Sequence, residues 1–535
     1  MDITQSILEL FGGLAIFVYG VHILSEGLEK VAGAQLLSLM EKSTDHPIKG
    51  AFFGMFATAL MQSSGLLMVT MIGLINANLL TLKQSIGIML GQEIGTTITG
   101  QLVSFDIKVF NLIFLVVGFS LMFFSSKRNV QLVGQPLFGF GVVFVGMNMM
   151  SKAGGLISLT PFFQNTLVLL SRHVLLGVVV GAVFTAAIQS STAMTGLVIA
   201  MGKSNSIPLD VAIAIILGAN IGSCIMGWLA AIQSSCAAKR ASYAQIFINI
   251  AGVLLFLPFI SPYTDFITGT ANLLARQIAN AHTIFNIIVS VIMYPMVKPL
   301  TQFVEKIVPE KETEKEKKKK NLHIDSRLLK MPFLAVQLAK DEVMRMGWIA
   351  HEMLLDAEKG LSRGKMDSAK HTLKKEKDLD EMTLNIGNFL EEIPGDKLNL
   401  KQNKMLEDLK HIITDIERVG DHANNIAEFA LILDKKKIRI SKYGRNELKT
   451  IFKQVNEIYA LALRVFDSEN PKKIPVVEKK EAKIDALEKE FKKNHVERLK
   501  KNICHPEADT IFVETLRNLE RISDHAYNIA LSIRD

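Results

Sequence analysis

The sequence predicts an all-α protein in two parts. A polytopic membrane domain of two inverted repeats with re-entrant hairpins is followed by a soluble helical bundle of two three-helix repeats. Three observations carry this. Residues 1–300 hold 14 Lys/Arg and 10 Asp/Glu, whereas the other 235 of the 535 residues hold 88 charges. Each part is internally duplicated, with its own offset. In the second part apolar residues recur at helical spacing, as in Leu334, Leu338, Met344 and Ile349, with few β-branched runs.

Apolar runs long enough to cross about 30 Å of hydrocarbon lie near residues 6–28, 84–104, 109–125, 132–150, 209–234, 243–261 and 282–299. The first carries Asp2 and Glu9 in place of a basic leading region, so it is expected to stay as a helix and not to be a cleaved signal. Stretches 50–78 and 174–203 are apolar at both ends but polar in the middle, at Gln62-Ser63-Ser64-Gly65 and Gln189-Ser190-Ser191-Thr192. A lipid-facing helix has no use for such a centre; a hairpin whose tip is buried in protein does.

The tips are 127 residues apart, and so are Gly91-Gln92-Glu93-Ile94-Gly95 and Gly218-Ala219-Asn220-Ile221-Gly222, and Leu10-Phe11-Gly12 and Leu137-Phe138-Gly139. Each unit reads as helix, hairpin, helix, helix: repeat one about 6–125, repeat two about 132–261, with a final helix at about 282–299. Three crossings per unit invert the second copy. With the charged C-terminal part cytoplasmic and the N-terminus outside, nine of fourteen basic residues fall inside; Lys108, Lys152, Arg172, Lys203 and Arg276 fall outside. Inverted repeats with broken helices are secondary-transporter architecture, which places the chain in the cell membrane as a multi-pass protein.

The groups at the tips suit an oxyanion: Gln and Ser donors, with helix N-termini following. Gly91–Gly95 and Gly218–Gly222, followed by Thr96-Thr97 and Ser223, offer carbonyls and hydroxyls to a hard cation. Small polar residues also let membrane helices pack closely, and that reading competes at any single position. Glu93 is a carboxylate at membrane depth, by default a functional feature, read here as a cation ligand or a protonatable coupling group. Pairing with a nearby Lys, or snorkelling into a water-filled vestibule, is its alternative.

Charges crowd residues 301–325, including Lys317–Lys320; this is a linker whose basic run could also meet anionic lipid. From 326 to 535 a helical domain is expected, with breaks at Pro394-Gly395 and Pro471 to Pro475. Its own duplication aligns Asp415–Ala427 with Asn518–Ala530, offset 103, and Glu376/Asp380 with Glu481/Asp485, offset 105. Spacing of four puts Glu417 with Asp421, and Glu520 with Asp524, on one helix face. Carboxylates converging from facing helices are how bundles hold metal. A solvated acidic face is the alternative, above all for Glu376 and Asp380 taken alone; Arg418 and Arg521 could also neutralise these acids, and His422 and His525 are candidates for supporting them.

Other classes are excluded. The net charge of +8 divides as +4 and +4, so neither part is a basic nucleic-acid-binding domain. Cys224, Cys236 and Cys504 are too dispersed for a disulfide framework or a Cys-based zinc site. No nucleophile with a base and no Walker loop appears, so an enzyme is not expected.

Residues 1–300, with Gln62-Ser63-Ser64, Gln189-Ser190-Ser191 and the Gly-x-Asn-Ile-Gly-like segments, resemble the type II sodium–phosphate cotransporter family. That resemblance implies that Gln62, Ser63, Ser64, Gln189, Ser190, Ser191 and Thr192 help bind phosphate, and that Glu93, Thr96, Thr97, Asn220 and Ser223 lie in the cation or coupling region, with sodium the coupling ion. Gly65 departs by lacking a hydroxyl, and Gln92-Glu93 stands where the second copy has Ala219-Asn220. Residues 330–535, with Glu-Arg-x-x-Asp-His-Ala twice, resemble the PhoU family. This implies a regulatory domain with a metal cluster of iron, zinc, manganese or magnesium on Glu376, Asp380, Glu417, Asp421, Glu481, Asp485, Glu520 and Asp524. The expected function is a sodium-coupled alternating-access carrier of inorganic phosphate; a phosphate exporter, an anion channel and a membrane-anchored phosphate or metal sensor are the alternatives. A homodimer is among the expected assemblies.

Overall fold

The computed structural model describes residues 3–43, 46–77, 79–105, 110–232, 234–309, 324–501 and 506–534. Lys108, Lys317–Lys320 and Cys504 therefore lie outside the described residues. Among the described residues the structure is helical with no strand, and it divides into two compact units, Met1–Leu334 and Ala335–Asp535.

In the first unit the helices are α1 (Ile3–Ser43), α2 (Pro47–Met61), α3 (Ser64–Asn76), α4 (Leu82–Ser104), α5 (Phe110–Phe124), α6 (Arg128–Ile157), α7 (Pro161–Arg172), α8 (Val174–Ile188), α9 (Ser191–Lys203), α10 (Leu209–Ser223), α11 (Ile225–Ala231), α12 (Cys236–Phe256), α13 (Ile260–Thr268), α14 (Leu274–Met293) and α15 (Val297–Ile307). The duplication is visible in their first residues. Adding 127 to Pro47, Ser64 and Leu82 gives Val174, Ser191 and Leu209, the starts of α8, α9 and α10. Among the described residues five stretches are long and apolar enough to cross a membrane: Ile3–Val31, Val130–Ile157, Leu209–Ala231, Cys236–Thr268 and Leu274–Ile307. The pair α7 and α8, bent by 113°, makes a sixth if it counts as one span. The protein is a multi-pass membrane protein. The runs near 84–104 and 109–125 form α4 and α5, which are not among those five.

Glycines set the tightest helix contacts. A methyl group on Gly91 of α4 would overlap the carbonyl oxygen of Ala51 on α2, and one on Gly218 of α10 would overlap that of Val178 on α8. Gly54 and Gly95, and their counterparts Gly181 and Gly222, are equally crowded by facing backbone. Close backbone approach through small residues is how membrane helices associate where no hydrophobic drive separates protein from lipid.

The second unit contains most of α16 (Pro332–Arg363), and α17 (Met366–Glu392), α18 (Leu400–Lys436), α19 (Lys442–Asp467), α20 (Ile474–Lys500) and α21 (Pro506–Leu531). Short 3₁₀ turns, Gly395–Lys397 and Pro471–Lys473, fall at the expected breaks. Apolar faces of these amphipathic helices pack Phe452, Phe466 and Phe512 out of solvent. Tyr459, also fully buried, satisfies its hydroxyl by donating to the Gly347 carbonyl at 3.2 Å.

Candidate functional site

The two tips are built alike. α2 and α8 each end on a glutamine in the left-handed region, Gln62 at φ 52° and Gln189 at φ 58°. Each is followed by an extended serine that caps the next helix: Ser63 Oγ accepts from Leu66 N at 3.2 Å, and Ser190 Oγ from Ala193 N at 3.1 Å. Positive φ at a non-glycine residue costs roughly 1–3 kcal/mol. It recurs at both tips, where one helix stops and the next begins within two residues. The other N–H groups in the first turn of each helix have no intrahelical partner. The tips differ in surroundings. Gln62 is buried, accepts from Thr99 Oγ1 and donates to the Ala59 carbonyl; Gln189 is exposed. Ser64 and Ser191 are buried and Thr192 is half-buried.

Glu93 and Asn220 occupy equivalent positions of the duplication, and each meets a pair of side chains four residues apart. Glu93, 6% exposed, accepts from Gln245 Nε2 at 3.3 Å and Asn249 Nδ2 at 3.1 Å, both on α12. Asn220 donates to Asn286 Oδ1 at 3.1 Å and lies 3.2 Å from His282 Nε2, both on α14. Cys224 joins the two sockets: Asn249 Nδ2 donates to its sulfur at 3.3 Å, and the thiol donates to the Asn220 carbonyl at 3.7 Å. Ser223 Oγ donates to that same carbonyl at 2.7 Å, where α10 stops and α11 begins. Among the described residues no Lys or Arg pairs with Glu93, so the expected alternative of a lysine partner is not what surrounds it. Its donors are neutral amides. Burying a charge is costly unless it is paired and hydrogen-bonded, and here the hydrogen bonds come from amides alone.

The remaining cation candidates stand on α4. Thr96 Oγ1 donates to the Gln92 carbonyl at 3.0 Å and Thr97 Oγ1 to that of Ile94 at 2.8 Å, leaving hydroxyl lone pairs free to coordinate. Gln92 is fully buried, and neither of its amide atoms has a partner among the described residues. Sequence reasoning missed Cys224, Gln245, Asn249, His282 and Asn286. A signal exists: Ala244 to Ile250 and Ala281 to Ile287 share Ala-x-x-x-x-Asn-Ile at an offset of 37.

In the second unit Asp380, Glu417 and Asp421 bring carboxylate oxygens within 4.8 Å of one another, and Glu481, Asp485 and Asp524 do the same. Glu376 and Glu520 stand beside these triads. Burial, and then the neighbouring acids, hold both carboxyls above the ordinary carboxylate range. Burial also raises Asp421, with Asp380 adding and Arg418 opposing. Arg418 lies 3.7 Å from Glu417 and 3.5 Å from Asp421, and Arg521 lies 3.8 Å from both Glu520 and Asp524. These contacts are loose for charge-assisted hydrogen bonds, which run at about 2.7–2.9 Å. His422 and His525 bond Asn518 and Asp415, each at 2.8 Å, so their described partners lie outside the acid triads.

Residues 16–152 and 158–292 match the family described as Na+/Pi-cotransporter, and residues 343–430 and 448–533 match the PhoU domain. The chain is 23% identical to "Putative inorganic phosphate export protein YjbB" of Salmonella typhimurium, over 99% of this chain and 97% of that one. It is 29% identical, over 36% of this chain and 82% of the relative, to "Phosphate-specific transport system accessory protein PhoU homolog 1" of Thermotoga maritima. A 97-residue stretch is 32% identical to "Sodium-dependent phosphate transport protein 2B" of Homo sapiens, covering 18% of this chain and 14% of that protein.

Proposed function

We propose, from the premise that this chain belongs to the Na+/Pi-cotransporter family and carries two PhoU domain matches, that it is a sodium-coupled carrier of inorganic phosphate working by alternating access. One observation carries the reading. Glu93 and Asn220, equivalent in the duplication, are both buried among neutral side chains and joined through Cys224. Their helices also reach the tips: Thr99 of α4 holds Gln62, and α10 packs on α8 and α9, which flank Gln189 and Ser190. In this reading Gln62, Ser63, Ser64, Gln189, Ser190, Ser191 and Thr192 bind phosphate, and Glu93, Thr96, Thr97, Asn220 and Ser223 the sodium. Burial of Gln62 against exposure of Gln189 supports a state with one tip closed and the other open.

The N-terminus lies outside and the second unit is cytoplasmic. Its acid triads bind a divalent or trivalent metal, and the metal-bearing domain regulates transport. Export is the direction given in the name of the relative that spans nearly the whole chain. Radiolabelled phosphate flux in proteoliposomes, with a sodium gradient set in each direction, tests the reading. Accumulation driven by sodium is expected. Downhill flux without coupling would make the protein a channel, and no flux would leave a sensor.

A further inference from the structure

Helix α14 lies outside the 127-residue duplication, yet it serves α10 as α12 serves α4. Gln245 and Asn249 meet Glu93, and His282 and Asn286 meet Asn220, with the same spacing of four. The sockets share a framework and differ in chemistry. One centres on a carboxylate, the other sets an imidazole beside a neutral amide.

Hydrogen bonding fixes that imidazole's tautomer. Asn286 Nδ2 donates to the His282 carbonyl at 2.9 Å, so Asn286 Oδ1 is the atom that accepts from Asn220 Nδ2. Asn220 is thereby turned with Oδ1 toward the ring, and an amide oxygen only accepts. In the neutral ring His282 Nε2 therefore carries the proton and Nδ1 is a bare lone pair. The side chain is 1% exposed, and Nδ1 has no hydrogen-bond partner among the described residues. A buried acceptor left unmade costs about 1–3 kcal/mol, so this site calls for a donor.

The level of His282 in the bundle bears on which donor that is. Gln101 of α4 donates to Asn280 and Thr283 of α14, placing His282 level with Thr99, which holds Gln62 of the first tip. Gly100 of α4 faces Thr195 of α9, the helix that starts at the second tip, and Thr195 Oγ1 is also buried without a partner. Amide and hydroxyl groups at this level can serve any tetrahedral oxyanion. A lone pair cannot: it accepts from a P–OH hydrogen and repels an oxygen that has none. At neutral pH phosphate and arsenate carry such a hydrogen, and sulfate does not.

We infer that His282 Nδ1 accepts the hydroxyl hydrogen of bound phosphate and so makes the carrier select protonated tetrahedral oxyanions over sulfate. This rests on the phosphate-carrier reading above. A site built to bond a substrate hydroxyl rejects an analogue lacking it by up to about 10⁴–10⁵-fold.

The test is competition of radiolabelled phosphate uptake by arsenate and by sulfate, using the full chain in proteoliposomes. Arsenate is expected to compete with the wild type and sulfate not. His282→Gln keeps a donor toward Asn220 but removes the Nδ1 acceptor; His282→Phe removes both. Each should narrow the phosphate-to-sulfate preference at least about tenfold. His282→Asn, whose amide oxygen reaches the Nδ1 position, should recover part of it. Wild-type uptake blocked equally by sulfate overturns the inference without any variant. So does phosphate uptake by His282→Gln with undiminished discrimination, and both results leave the carrier reading standing. A wild type with no phosphate flux overturns the carrier reading instead, and this inference with it.

Discussion

His422 and His525 stack across the second unit with ring centroids 5.7 Å apart, and each bonds the residue that stands seven positions before the other: His422 to Asn518, His525 to Asp415. The pair marks the pseudo-symmetry of the two PhoU matches. Burial holds His422 below the ordinary imidazole range. The folded state thus binds fewer protons there than the unfolded chain, and its stability is full above about pH 6.5 and falls as pH drops through that value. In detergent, His422 should contribute a loss of Tm in the full chain between pH 7.5 and 5.5. His422→Asn, which keeps the bond to Asn518, should shrink that loss; an identical pH slope in the variant would contradict it.

The acid triads have the opposite sign. Asp421 and Asp524 are raised by burial first and by neighbouring carboxylates next. Their charge costs stability at neutral pH, and the cost is relieved as pH falls. With chelator present, Asp421→Asn and Asp524→Asn should each raise Tm by a few degrees. With excess manganese or zinc the wild type should gain Tm by mass action, and the double variant should not. A wild type whose Tm ignores metal, with none retained by elemental analysis, would favour Arg418 and Arg521 as the partners of these acids.

Glu93→Gln keeps the acceptor oxygen used by Asn249 and removes the charge. Phosphate flux in proteoliposomes should lose most of its sodium stimulation while the protein stays folded. Sodium and pH profiles unchanged from wild type would end the coupling role.

Gly91→Ala and Gly218→Ala should both fail, because each methyl would collide with facing backbone and the helices cannot separate without losing their contact. Overpacking typically costs about 1–3 kcal/mol. Monodisperse protein on size exclusion should be lost in both, whereas Gly12→Ala, with nothing within 4 Å of the new carbon, should behave as wild type.

Much of the first unit was legible because duplication repeats a signal: Gln62 and Gln189 each looked out of place in an apolar run, and twice at one offset they define a turn. Glu93 was legible as the lone acid in its apolar run. Its partners were not. Gln245, Asn249, His282 and Asn286 are single polar residues in apolar helices, and only packing says whether such a residue faces a neighbour or fills a gap. The break between α10 and α11 was also hidden. α4 runs unbroken through the equivalent stretch, although Thr96 and Thr97 there bond helix carbonyls much as Ser223 and Cys224 do. In the second unit the motif acids were plain from spacing, but only the backbone decides that Asp380 joins Glu417 and Asp421 within 4.8 Å while Glu376 stands at the rim.

The matched sockets around Glu93 and Asn220 give the molecule an internal control. They share a framework, so the difference between them is carried by one acid and one imidazole. Exchanging the central pair, Glu93→Asn with Asn220→Glu, leaves composition and net charge untouched and moves the acid to the opposite half of the duplication. Any change in the exchanged molecule then reports handedness: which half of the duplication must hold the charge.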